Sequence, residues 1–180
     1  MTVYIALLRG INVGGNNIIK MQDLKNLLLN GGLENVSTYI QSGNIVFQSE
    51  RSADQVQIII EQEIKNKYEY SISVIVRTAS EWEGIMKACP YPTDSLGEGE
   101  SVHLILLGKE VSKERSEQLL QFQSDTEKCF INRKEVYLHL RISILDSKIT
   151  KQLPKLGVQM TSRNWKTIKK IESMVLKQTQ

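Results

Sequence analysis

Apolar residues along this chain recur at two different spacings, and the switches between them divide it into elements. Val3–Leu8 (VYIALL) is a short continuous run of strand-forming residues closed by Gly10, which predicts a buried strand. From Met21 the spacing lengthens: Met21, Leu24, Leu27 and Leu28 mark one face of a helix that Gly31 and Gly32 should stop. Val36–Gln41 and Asn44–Gln48 read as a hairpin around Ser42-Gly43, where glycine supplies the positive φ a tight turn needs. Ser52–Tyr68 carries a helical stripe of Val56, Ile59, Ile60 and Ile64, and Ser71–Arg77 (SISVIVR) returns to a strand pattern. The order β-α-β-β-α-β is that of a ferredoxin-like split βαβ unit.

Residues 79–100 read as a connector. Ala79–Ala88 forms a helix with Ser80 as its cap, and Pro90, Pro92, Gly97 and Gly99 mark a loop. The plan then begins again. VHLILLG (Val102–Gly108) echoes VYIALLRG (Val3–Gly10), and Ser112–Phe122 has helical spacing. Cys129–Ile131 and Val136–Leu138 pair as a hairpin around Asn132-Arg133-Lys134, and a helix follows near Ser147–Leu156. A last helix, starting after Thr161, carries Trp165, Ile168, Ile171 and Val175. The expectation is an α+β chain of two ferredoxin-like units in tandem, residues 1–78 and 101–180. The second unit should end in an extra helix in place of a clean fourth strand. The repeat is one of topology and not of residues.

Composition narrows the class. With 41% hydrophobic and 24% charged residues over 180 positions, the chain can build a core without disulfide or metal staples. Cys89 and Cys129 have no CxxC spacing and read as free thiols of a reducing compartment. The first residues show no secretory leader, and no apolar run reaches the length of a membrane span, so the expected location is the cytoplasm, with no membrane partner. The net charge of +3 conceals an asymmetry: Lys148–Gln180 holds eight Lys or Arg and one acid, Glu172. Such a segment suits an anionic partner, or it solvates the outer face of a terminal helix.

The candidate chemistry begins at RGINVGGNN, residues 9–17. Gly10 and Gly15 have the glycine spacing of a nucleotide phosphate loop, but Asn16 and Asn17 stand where that loop needs Lys and Ser or Thr. Glycines still let backbone N–H groups approach an anion, and Arg9 offers a planar fork to phosphate or carboxylate. Plain turns use the same residues. Thr161 or Ser162 could cap the last helix and turn its free N–H groups, with Arg163, toward an anion; Ser147-Lys148 repeats that chemistry one helix earlier. His103 and His139 fall in strand-like runs that the topology sets side by side. No carboxylate cluster adjoins them, Glu61 and Glu63 read as solvated, and nothing resembles a nucleophile elbow, so no catalytic constellation, metal site or cofactor is implied. The β-α-β-β-α-β order is also that of an RNA-recognition motif, for which Tyr4, Tyr39 and Phe47 are the available rings.

Three segments, YIALLRGINVGGNN, STYIQSGNIVFQS and TSRNWKTIKKI, closely resemble the bacterial proteins grouped as domain of unknown function 1697, from Tyr4 to Ile171. The resemblance implies a cytoplasmic bacterial protein of α+β units with no established activity. The family's recurring positions match Arg9, Gly10, Asn12, Gly14, Gly15, Gln41, Ser42, Gly43, Asn44, Ser147, Lys148, Arg163, Asn164 and Trp165. Family members often have glycines shortly before Ser147, where this chain has Ser143 and Leu145. The topology sets the loop after the first strand and the Ser42–Asn44 turn at the same end of one sheet. The resulting expectation is a small anionic or phosphorylated ligand held between the two units. Its residues would be Arg9, Gly10, Asn12, Gly14, Gly15, Ser42, Gly43, Asn44, Ser147, Lys148, Arg163 and Asn164. An RNA-binding module and a protein-interaction module are the competing readings.

Overall fold

The computed structural model describes Met1–Gln180 as two compact units, one of residues 1–84 with 169–180, the other of residues 85–168. The sequence division placed 169–180 with the second unit. The difference arises at the last helix, whose apolar stripe announces a helix without saying which sheet its far end joins.

In the first unit, β1 (Thr2–Leu8), β2 (Glu34–Tyr39), β3 (Asn44–Ser49) and β4 (Val74–Thr78) form an antiparallel sheet in the order β2-β3-β1-β4. Side chains alternate across it. Tyr4, Ala6 and Leu8 of β1, with Ile45 and Phe47 of β3, face α1 (Met21–Asn30) and α2 (Ala53–Tyr68). Leu24 and Leu28 of α1 and Val56, Ile60 and Ile64 of α2 close this core. Full burial of such side chains contributes about 1.5–3 kcal/mol each. Helix α2 begins with a capping box: Ser52 Oγ accepts from Gln55 N–H while Gln55 Oε1 accepts from Ser52 N–H. Gly31 ends α1 with its N–H on the Leu27 carbonyl.

Helix α3 (Ala79–Lys87) is capped two residues earlier than the sequence indicated. Thr78 and Glu81 exchange side chain–backbone hydrogen bonds of 2.7 and 3.1 Å, and Ser80 already lies inside the helix.

The second unit repeats the order. β5 (Ser101–Leu107), β6 (Glu127–Asn132), β7 (Glu135–Leu140) and β8 (Met160–Asn164) form an antiparallel sheet β6-β7-β5-β8. Helices α4 (Lys113–Leu120) and α5 (Lys148–Gln152), with a 3-10 turn at Leu153–Leu156, supply its helical layer. The expected missing fourth strand is present. Met-Thr-Ser-Arg-Asn has no apolar alternation, yet it pairs with β5 from Leu107↔Met160 to His103↔Asn164. Helix α6 (Trp165–Thr179) therefore starts later than the sequence implied. Its cap is Asn164, whose Oδ1 accepts from Thr167 N–H at 2.9 Å, and Thr161 and Ser162 are strand residues. No helix is long and apolar enough to cross a membrane.

Candidate functional site

The motif residues of the first unit come together at one end of its sheet. Gly14 and Gly15, at φ +58° and +78°, make a two-residue turn closed by Asn16 N–H on the Val13 carbonyl at 2.9 Å. Asn12 is the hub below it. Its Nδ2 donates to the carbonyls of Ile19 (2.9 Å) and Gln41 (2.8 Å), and its Oδ1 accepts from Ile19 N–H (2.8 Å). One side chain thus fastens the β1–α1 loop to the β2–β3 turn. Asn17 Nδ2 donates to the Gly10 carbonyl at 3.0 Å.

The neighbouring turn is equally occupied. Asn44 is fully buried, donating to the Tyr39 carbonyl and to Ser42 Oγ. At Gly43 (φ +85°) a Cβ would stand 2.7 Å from Leu8 Cβ and 2.9 Å from Ile11 Cδ1. Asn12, Asn17, Gly43 and Asn44 build the loops. Among the residues left exposed are Arg9, the Gly14-Gly15 tip, and three apolar side chains, Val13, Ile18 and Ile40, at 64%, 52% and 48%.

In the second unit the four expected residues take four separate places. Ser147 is a buried cap: its Oγ accepts from Thr150 N–H and donates to Glu127 Oε1, which also accepts from Ile149 N–H. The buried Glu127 carboxylate thus sits at this short helix start. Lys148 is exposed beside it. Arg163 is buried, with Nη1 on Thr161 Oγ1 (2.7 Å) and the Ser162 carbonyl (2.8 Å), and burial pulls its pKa down to about 10, still charged at neutral pH. Asn164 borders an open groove.

That groove, about 640 Å³, lies where β5 and β8 meet the start of α6. Ile142, Ile144 and Trp165 give it apolar walls, and Ser101, His103 and Lys166 supply polar groups. Trp165 is buried, its ring 6.5 Å from that of Tyr137, and its indole N–H has no acceptor. Ser143 borders the groove as well; Leu145, 81% exposed, does not. Ser101 Oγ and His103 Nε2 are 2.9 Å apart. Burial holds the His103 pKa below its usual value.

Glu100 also borders the groove and reaches the other way, to His139 Nε2 and Arg141 Nε, each at 3.3 Å. The His139 hydrogen bond, then the Gly97 N–H and the Arg141 charge, hold its carboxyl below the ordinary range. A second, polar depression of about 250 Å³ lies there, lined by Asp125, Thr126, Lys128, His139 and Arg141. Sequence reasoning missed Ser101, Glu100 and Lys166. Ser-x-His on a strand that alternates faces was the available signal; the Glu100–His139 contact, 39 residues apart in sequence, had none.

Two of the three rings available for base stacking are turned inward. Tyr4 and Phe47 stack on each other at 5.6 Å within the helix-side core, and Lys170 lies over Tyr39 at 5.8 Å. Cys129 is buried and its thiol is pushed up to about 12; burial also raises Cys89.

A family model described as "Protein of unknown function (DUF1697)" matches residues 1–137. The chain belongs to the DUF1697 family. The DUF1697 match includes the Arg9 loop, the Ser42–Asn44 turn, Ser101 and His103, and ends before β8 and α6. A solved structure, described as conserved bacterial protein SP0830 from Streptococcus pneumoniae, is similar over 97% of this chain and 98% of its own, at 24% identity and a TM-score of 0.75. That likeness carries the fold. No curated protein matches the chain.

Proposed function

We propose that this DUF1697 chain binds a small organic anion, a carboxylate or phosphate ester, in the groove between β5, β8 and α6. The groove itself carries the reading. Its size suits a metabolite, its walls are apolar, and Lys166 stands on its rim. The first turn of α6 contains no acid, so no carboxylate of that turn repels a ligand anion. Asn164 and Trp165 border this groove. Arg9 is an exposed cation on a separate loop. The strand order in each sheet supports assigning both units to the ferredoxin-like plan, and the likeness to a conserved bacterial protein supports a bacterial setting.

A thermal-unfolding screen with aliphatic and aromatic carboxylates, sugar phosphates, nucleotides and a short mixed RNA tests the reading. A ligand at a hundred times its Kd adds about 2.7 kcal/mol, a rise of roughly 5–10 °C at this length. The rise should vanish in Lys166→Glu. No rise with any anion, or one indifferent to Lys166→Glu, removes the groove as the binding site. The exposed trio Val13, Ile18 and Ile40 supports a second reading, a protein-contact surface at the end of the first sheet. Spin-relaxation measurements that leave these methyls unchanged in the presence of candidate partners would count against it.

A further inference from the structure

Ser101 and His103 lie two residues apart on β5, so both side chains leave the same face of the strand. Their 2.9 Å contact opens on the groove, which both residues border. An imidazole kept neutral by burial has a ring nitrogen free to take a proton at pH 7. Asn164 pairs directly across from His103, and the chain turns from there into α6. Trp165 and Lys166, in the first turn of that helix, border the same groove as the pair, while the Thr167 N–H is held by Asn164 Oδ1. Glu100 and Lys166 are the other ionisable side chains on the groove.

We propose that Ser101 is a nucleophile and His103 its general base, acting on esters of small carboxylic acids bound in the groove. This rests on the groove being a ligand site and names its substrate class. Ser101 Oγ attacks the ester carbonyl carbon; the O–C bond forms as the hydroxyl proton passes to His103 Nε2. Charge gathers on the carbonyl oxygen, toward the start of α6. Collapse breaks the bond to the alcohol, which leaves with the proton from His103, and Ser101 is acylated. Water then gives a proton to His103 and attacks the acyl carbon. The carboxylic acid departs and Ser101 recovers its proton. The sum is ester plus water to acid plus alcohol, with no redox partner. The carboxylate product is the kind of anion proposed for the groove.

The test combines hydrolysis of p-nitrophenyl acetate and butyrate, labelling with a fluorophosphonate followed by peptide mass spectrometry, and thermal shifts with butyrate. Expected are one label, on Ser101, and a rate at least about 100-fold lower in Ser101→Ala and His103→Gln, both folded by circular dichroism. The pH profile of kcat/KM should rise with an apparent pKa below 6.5 and lose that limb in His103→Gln. Labelling elsewhere, no labelling, or an unchanged rate in Ser101→Ala overturns the proposal. Butyrate stabilisation of Ser101→Ala with no labelling of the wild type overturns the nucleophile and leaves the binding reading standing. Labelling of Ser101 without any anion stabilisation supports the nucleophile and removes the anion reading.

Discussion

Asn12 shows how a single side chain can act as a piece of sheet. Its amide meets three backbone groups from two loops, as a strand neighbour would. Asn12→Ala leaves those groups without this partner and should cost about 2–3 kcal/mol in urea unfolding, with the Gly14-Gly15 turn losing amide protection. Gly43→Ala should cost as much or more, because the added methyl meets Leu8 and Ile11 and the residue stays at φ +85°. His103 gives the pH dependence its sign. The fold favours the neutral ring, so below the unfolded pKa of about 6.5 the unfolded chain binds the proton more readily. Stability should fall as pH drops from 7 through 6.5 and level off below the folded pKa, with Glu100 adding a further loss below about 4.5. Urea midpoints across pH 7.5–4 check this, and His103→Gln should flatten the upper part. The letters Asn and Gly were legible as important and illegible in role, since an asparagine bonding distant backbone is written like one facing a ligand.

At the scale of elements, periodicity did most of the work. Both hairpins, α1, α2 and α4 stand within a few residues of where apolar spacing and caps set them, because each has a stripe and a stop. β8 failed that test. Its buried members include Thr161 and Arg163, so the polar letters hid a strand made certain only by its ladder with β5. Helix α5 was legible for its cap and not for its anion, because Glu127 lies 20 residues upstream of Ser147. Ser147→Ala should cost about 1–2 kcal/mol. Glu127→Ala should cost more, because it strips both the hydroxyl and Ile149 N–H of a buried acceptor. Gly84, exposed in α3 with nothing within 4 Å of an added Cβ, offers the opposite outcome. Gly84→Ala should stabilise by about 0.5–1 kcal/mol, read from the urea midpoint.

For the molecule as a whole, the two-fold repetition was legible from order alone, and the membership of residues 169–180 was not. Gln178 donates to the carbonyls of Asn35 and Val46 and accepts from Gln48 Nε2, while Ile171 and Val175 are buried. Ending the chain at Lys169 should therefore lower stability by about 3–6 kcal/mol, and hydrogen exchange should open first along β2 and β3. The same feature sets a timetable during synthesis. The sheet of the first unit leaves the ribosome early, and the residues that complete it come after all of Ile85–Ile168. At roughly 5–20 residues per second that wait is on the order of 4–17 s. Through it the nascent chain carries β2 as an edge lacking its Gln178 contacts. That interval is when a holding chaperone would find this protein.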